Sequence, residues 1–276
     1  KEFTINNRIE KIVSDIYKEK PDVIGFSCYI WNIEMIRTTA ARLKKVLPNT
    51  LFVFGGPEVS YDSESFMQEN TFVDAVTVGE GESTMKELFE KNFSFAGVSG
   101  VIYRDMDKII LNEGIREPVN MDDVPFPYTD DELSDMSSKL LYYESSRGCP
   151  YNCSYCLSST IHYLRFASVR KVESDLTRFI NKNVRIVKFI DRTFNANPER
   201  AYEIFDFLIK NGKSTKFHFE ISAHILTDKT LALLSSAPKG MFQFEIGVQS
   251  TNENTIKAIN RKTDFKILTD AVERLM

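Results

Sequence analysis

Leu140-Leu141-Tyr142-Tyr143-Glu144-Ser145-Ser146-Arg147-Gly148-Cys149-Pro150-Tyr151-Asn152-Cys153-Ser154-Tyr155-Cys156 holds three of the chain's four cysteines in a C-x3-C-x2-C spacing. Its apolar start reads as a β-strand. The Gly-Cys-Pro that follows reads as a loop at the strand's carboxyl end, where α/β folds place their chemistry. Thiolates so spaced suit an iron–sulfur cluster, which normally takes four of them. A compact loop offering only three leaves one iron open to a ligand that is not cysteine. The alternative is a zinc site on Cys149, Cys153, Cys156 and His162, because zinc accepts a Cys3His set in a tetrahedron. Structural zinc sites usually draw ligands as two separated pairs, and this sequence has no second pair. Three crowded cysteines also suit a reducing cytoplasm better than a disulfide framework.

Composition narrows the classes further. The chain has 276 residues, 42% hydrophobic and 27% charged, the profile of a globular protein with real cores. A net charge of −4 and a pI near 5.6 exclude a strong electrostatic footprint for nucleic acid. No apolar run approaches the length that spans a membrane, and no signal peptide is visible. The chain opens on Lys1 rather than Met and stops inside a helical pattern at Arg274-Leu275-Met276, so it reads as an excised fragment.

Downstream of the cysteines, strands and helices alternate. A helix from about Val172 aligns Val172, Leu176, Phe179 and Ile180. Strand Arg185–Ile190 ends in Asp191-Arg192-Thr193-Phe194, and Asn197-Pro198-Glu199 starts a helix in the cap-then-proline order. Strands at Lys216–Ser222 and Met241–Val248 follow, each leading to a helix capped near Thr227 and Thr251. With Leu140–Glu144 this gives four βα units over 139–276, a partial (β/α) barrel whose strand ends converge at one mouth. Glu220 and Glu245 fall within adjacent strands. Carboxylates inside a barrel need partners, and the two open readings are a bound ligand or an ion pair with Lys188 or Arg165.

Upstream, residues 1–118 read as an α/β domain. A helix over Ile5–Glu19 presents Ile9, Ile12, Val13 and Ile16 on one face. Strands Asp22–Ser27, Leu51–Phe54 and Ala75–Val78 end in small residues: Ser27, then Gly55 and Gly56, then Gly79 and Gly81. The alternation predicts a doubly wound parallel sheet, and ligands of such sheets bind across the strands' carboxyl ends, where glycine permits close approach. Residues 98–103 and 109–112 read as a β-hairpin. Residues 119–138 are rich in Pro and Asp and read as the interdomain linker.

The cysteine stretch closely resembles the radical S-adenosylmethionine (SAM) superfamily, in which the open iron chelates SAM and the reduced cluster cleaves it to a 5′-deoxyadenosyl radical. The resemblance implies a 4Fe-4S cluster on Cys149, Cys153 and Cys156, with Tyr155 against the adenine. Arg165, Asp191, Glu220, Glu245 and Gln249 become candidate SAM contacts. Glu245-Ile246-Gly247-Val248-Gln249-Ser250 resembles the Gly-Val-Gln-Ser segment of radical SAM methylthiotransferases and anaerobic coproporphyrinogen oxidases. Radical SAM cores usually have six βα units, so about two, on the order of 50–60 residues, are expected to be missing, among them the adenine-contacting segment. Ser27-Cys28-Tyr29 with Gly55-Gly56 one unit later resembles the cobalamin-binding domain of cobalamin-dependent radical SAM proteins, over nearly all of 21–90. It implies cobalamin near Ser27, Gly55, Gly56, Gly79 and Gly81. The family's D-x-H-x-x-G loop is absent, as is a first strand, and the only histidines are His162, His218 and His224. The implied function is methyl transfer, with an external donor such as flavodoxin or ferredoxin. The alternatives are a cobalamin-independent oxidoreductase or methylthiotransferase, or a zinc-stabilised binding module. Cys28 reads as packing, and Trp31 as a ligand cover or a strand cap.

Overall fold

The structure is a computed structural model that describes residue 3 and residues 6–114, 116–160, 163–261 and 263–276. The chain divides into two compact units, Lys1–Val119 and Asn120–Met276.

In the first unit α1 (Ile9–Glu19) ends where Lys20 turns left-handed ahead of Pro21; Ile5, read as the helix start, lies outside the described residues. The chain continues through β1 (Val23–Ser27), α2 (Ile33–Val46), β2 (Leu51–Gly55), α3 (Pro57–Ser60), α4 (Ser63–Glu69), β3 (Ala75–Thr77), α5 (Gly81–Glu90), β4 (Val101–Asp105) and β5 (Lys108–Leu111). The sheet order is β1-β2-β3-β4-β5. The first three strands are parallel; β4 joins antiparallel to β3, so the hairpin extends the sheet. Period-two alternation in β2 sends Phe52 and Phe54 to a core with Cys28, Ala40, Leu43 and Met67, and Val53 to a second core with Leu88 and Val101. Both faces are therefore covered, which is why β2 reads as a continuous apolar run.

The second unit comprises α6 (Asp130–Asp135), β6 (Leu140–Tyr143), β7 (Ser146–Arg147), β8 (Arg165–Phe166), α7 (Val169–Asn181), β9 (Ile186–Phe189), α8 (Pro198–Asn211), β10 (Lys216–Ile221), α9 (Asp228–Ser235), β11 (Phe242–Ile246), α10 (Glu253–Ala258) and α11 (Phe265–Leu275). β6, β9, β10 and β11 lie side by side and parallel, while β7 and β8 pair antiparallel around the cysteine loop. One sheet face packs Leu141, Val187, Phe189, Phe217 and Phe219 against Val172, Leu176 and Phe179 of α7 and Phe205 of α8. The other face carries Tyr142, Lys188, His218, Glu220 and Glu245, all at least partly exposed. Asn197 caps α8 with Pro198 in its first turn, as the sequence predicts, and Thr227 caps α9. The cap of α10 is Asn252, one residue beyond the expected Thr251, because its side-chain oxygen reaches the amides of Asn254 and Thr255. Residues 120–138 fold onto this unit rather than hanging free, with Met121 and Leu133 in its core and Phe126 and Tyr128 packed against it.

Candidate functional site

The cysteine loop leaves the β6–β7 strand end through a turn that only glycine fits. Gly148 has a φ of +102°, and a Cβ there would run into the Tyr163 carbonyl. Cys149, Cys153 and Cys156 are all free thiols, with Cys153 buried and the other two partly exposed. Successive turns shape the loop. The Cys156 amide donates to the Cys153 carbonyl at 3.1 Å, and the Ser159 hydroxyl donates to the Cys156 carbonyl at 2.6 Å.

Three distant segments hold it. The Thr193 hydroxyl, past the end of β9, lies 3.6 Å from Cys149 Sγ. From the segment after α10, the Ile259 carbonyl accepts the Ser154 amide at 3.0 Å, and Asn260 Nδ2 donates to the Asn152 carbonyl at 2.9 Å. Arg261 donates from one terminal nitrogen to Cys153 Sγ at 3.7 Å and from the other to the Gly247 carbonyl at 2.8 Å. Arg261 thus places a cation against the Cys153 sulfur. The third anchor is Tyr151, whose hydroxyl donates to Ser222 Oγ at 3.0 Å and lies 3.1 Å from His224 Nε2.

The donor set fits a three-thiolate cluster. Arg261 Nε, beside Cys153, is buried with no hydrogen-bond partner among the described residues, as expected of a group that faces a bound anion. No three His, Cys, Asp or Glu side chains among the described residues form a cage for one ion. Thiolates on a cubane each take a different iron and need no such convergence. His162, the fourth member of the zinc alternative, lies outside the described residues.

The remaining candidates separate. Tyr155 is exposed in the loop, and its hydroxyl is pushed up in pKa, first by partial burial and then by the neighbouring Cys153, against the pull of Arg261. Arg165 sits on β8 opposite Arg147. Glu220 and Glu245 are directly opposite each other on β10 and β11. Both meet Lys188, at 3.8 Å and 3.1 Å, and His218 Nε2 lies 3.2 Å from Glu245. The ion pair weighed from sequence therefore exists, but it stands on the open sheet face with the Glu245 side chain 57% exposed, so solvent and ligands still reach it. The Lys188 hydrogen bond and charge hold Glu245 below the usual carboxylate range. Gln249 is exposed just past β11 in the left-handed region at a φ of +68°, a conformation that costs a non-glycine residue strain and tends to mark functional sites.

Asp191 is built into the fold by its side chain. Its side chain is wholly buried and accepts from the Ser145 amide at 2.7 Å and from the hydroxyls of Ser145 and Ser146 at 2.6 and 2.7 Å. It ties the end of β9 to the junction from which the cysteine loop leaves. Complete burial pushes its pKa up, opposed by those three hydrogen bonds and by the nearby Arg200 charge.

In the first unit Ser27, Gly55, Gly56, Gly79 and Gly81 do fall at or just past the carboxyl ends of β1, β2 and β3. The reason for the paired glycines is internal. A Cβ on Gly55 would sit 2.5 Å from Thr77 Oγ1, and one on Gly56, at a φ of +101°, 2.5 Å from the Cys28 carbonyl. Gly79 and Gly81 meet open space, so only there does the sequence leave room at the edge. Cys28 is fully buried, and burial pushes its thiol up to about 12. Trp31 is 72% exposed and stacks on Tyr29 at 4.6 Å between ring centres, so it does not cap the strand. Sequence reasoning missed Tyr151, Thr193, Ser222, His224 and Arg261. The only local signal was the exposed-loop setting of Asn260-Arg261 after a capped helix.

Two family profiles cover most of the chain: the B12 binding domain over residues 2–89 and the Radical SAM superfamily over residues 143–276. An uncharacterized methyltransferase of Pyrococcus horikoshii is 28% identical over 95% of this chain and 59% of its own length. The cobalamin-dependent radical SAM methyltransferase TokK of Streptomyces tokunonensis is 30% identical over 65% of this chain and 28% of its own. The structure of OxsB, a cobalamin-dependent S-adenosylmethionine radical enzyme, superposes with a TM-score of 0.79 at 21% identity over 98% of this chain and 41% of that one. The chain thus spans between 28% and 59% of the length of these three proteins.

Proposed function

Because the chain belongs to the radical SAM superfamily and carries a B12-binding domain ahead of its radical SAM domain, we propose that it works as a cobalamin-dependent radical SAM methyltransferase. The observation that carries this reading is the loop of three free thiols, with Arg261 on Cys153 and Thr193 on Cys149. When bound, the 4Fe-4S cluster, SAM and cobalamin supply an electron, a carbon-centred radical and a transferable methyl group; the protein's part is orientation and exclusion of solvent.

Cys149, Cys153 and Cys156 are the cluster ligands. Arg261 and Glu245, the latter held ionised by Lys188, present a cation and an anion to a zwitterionic amino acid group such as SAM carries. Glu220, Tyr155, Arg165 and Gln249 complete the candidate contacts, Tyr155 offering an exposed ring for a base to stack on. In the first unit the exposed Tyr29–Trp31 step and the open positions at Gly79 and Gly81 offer a flat ligand an apolar edge. No histidine precedes His162, so cobalt receives no imidazole from residues 1–119. No helix among the described residues is long and apolar enough to cross a membrane, and a cytoplasmic setting with a flavodoxin or ferredoxin donor suits the free thiols.

The test is anaerobic reconstitution of the intact protein, followed by iron, sulfide and cobalamin analysis and assay for 5′-deoxyadenosine. Alanine at Cys149, Cys153 or Cys156 is expected to abolish the cluster, and Cys28→Ala to spare it. Zinc without sulfide would replace this reading with the binding module. A cluster without cobalamin would move it to cobalamin-free oxidoreduction or methylthiolation, the reading that the internal use of Gly55 and Gly56 favours. Nitrogen splitting from a protein imidazole in the cob(II)alamin resonance spectrum would contradict the absence of a histidine ligand from this domain.

A further inference from the structure

We propose that Tyr151 anchors the cysteine loop on the end of β10 by docking its hydroxyl between Ser222 and His224, making His224 and Ser222 positioning residues for the cluster. The inference rests on the cluster-binding reading above for its consequence, but not for its geometry.

Tyr151 lies inside the loop, between Cys149 and Cys153. Its hydroxyl donates to Ser222 Oγ at 3.0 Å; Ser222 Oγ lies 3.1 Å from His224 Nδ1, and His224 Nε2 lies 3.1 Å from the Tyr151 oxygen. A neutral imidazole brings one donor and one acceptor. The two nitrogens of an imidazole point away from each other, so His224 bonds one of the two neighbouring hydroxyls at a time and packs against the other, while the Tyr151–Ser222 bond holds the pair together. Burial, then the nearby Arg261 charge, lowers the His224 pKa and so favours the neutral form.

The base of this anchor is rigid. Ser222 is buried, its amide donates to Asn195 Oδ1 at 2.9 Å, and Asn195 Nδ2 donates to its carbonyl at 2.9 Å. Asn195 stands two residues beyond Thr193, which touches Cys149, so the ends of β9 and β10 act on the loop as one body. Arg261 approaches the Tyr151 ring, 5.7 Å from its centre, and donates to Cys153 Sγ. The segment from Cys149 to Cys156 is therefore clamped between the ends of β9 and β10 and the 259–261 segment, with Tyr151 touching both. An unclamped loop of this length would lose conformational entropy on taking up a cluster; clamping makes that loss part of folding.

The test uses alkylation of the cysteines in the apo form of the intact protein, read peptide by peptide, followed by chelator-driven loss of the reconstituted cluster. Cys153 is 5% exposed and must wait for the loop to open, while Cys28, fully buried in the first unit, is the internal control. Tyr151→Phe and His224→Ala are each expected to speed Cys153 alkylation on the order of fivefold, the weight of one neutral hydrogen bond, with Cys28 unchanged. The double variant should be no more than about twofold faster than the faster single, because both act at one anchor. His224→Gln, which keeps a donor and an acceptor, should recover part of the loss. Cluster loss should follow the same ranking. Wild-type alkylation rates in both single variants, effects that multiply, or no advantage of Gln over Ala would each overturn the anchor. Wild-type protein that takes up no iron would overturn the cluster reading instead and leave the alkylation result standing.

Discussion

Replacing Asp191 by alanine tests the junction that launches the cysteine loop. The carboxylate has no exposed surface and accepts three hydrogen bonds, from the Ser145 amide and the hydroxyls of Ser145 and Ser146. After truncation the two hydroxyls can turn to other acceptors. The amide cannot, and a buried orphan costs about 1–3 kcal/mol. Arg200, 7% exposed and donating to the Ala167 and Ser145 carbonyls, also loses the buried anion whose charge it faces. Stranding one member of a buried charge pair costs about 3–5 kcal/mol. One carboxylate serves both roles, so the terms overlap, and the expected loss for Asp191→Ala is about 3–5 kcal/mol rather than their sum. Asp191→Asn keeps the shape and one acceptor, and about half that loss is expected. At roughly 2–4 °C per kcal/mol for a unit of this size, the alanine variant should melt on the order of 10 °C lower. The chain's one tryptophan, Trp31, lies in the first unit and is blind to this change. Hydrogen exchange read by mass spectrometry is therefore the suitable assay. Peptides over β6, β7 and β9 should lose protection while those over β1 and β2 keep it. A loss below about 1 kcal/mol for the alanine variant, or loss of SAM binding with protection intact, would refute the structural role given to Asp191 and return it to the ligand.

Three further outcomes are expected. Glu245→Ala should weaken SAM binding in titration calorimetry while iron content stays at the wild-type level; unchanged affinity would leave the Lys188–Glu245 contact a purely structural ion pair. Gly56→Ala should destabilise the first unit by at least about 1–3 kcal/mol, the cost of a side chain at that backbone conformation, with the clash against Cys28 added; Trp31 fluorescence during urea unfolding reads this directly. For pH, His224 is a base whose folded pKa lies below its ordinary 6.5. Below 6.5 the unfolded chain therefore binds the proton more readily than the folded one. Its contribution to stability is complete above that value and is lost as pH falls through it toward the folded-state pKa. Melting of the second unit followed from about pH 7.5 to 5 should show this fall, and His224→Gln should flatten it.

Periodicity along the chain was enough to place most elements, because burial on a helix or strand face is a local pattern. Val172, Leu176, Phe179 and Ile180 all proved buried on α7, and the alternation in Lys216–Ile221 turned Phe217 and Phe219 into the core and left His218 and Glu220 on the open face. The four parallel strands and the cysteine loop at the carboxyl end of the first were equally legible. Sequence also placed Glu220 and Glu245 on adjacent strands, although only the register set them opposite each other with Lys188 between.

By itself, then, the sequence determined the chemistry on offer: three thiols at a cluster-binding spacing, an α/β frame that presents them at a strand end, and a first domain without histidine. Tertiary structure alone decided what those groups meet. Arg261 reaches Cys153 across 108 positions, and Tyr151 reaches Ser222 and His224 across more than 70. Asp191 was turned inward by two serines 45 and 46 residues earlier, and Gly55 and Gly56 stand where a Cβ would run into Thr77 and Cys28. The physical reason is one of range. Backbone propensity and side-chain periodicity act between near neighbours in the chain, whereas hydrogen bonds and close approaches at a strand end depend on which other ends the sheet order brings beside it.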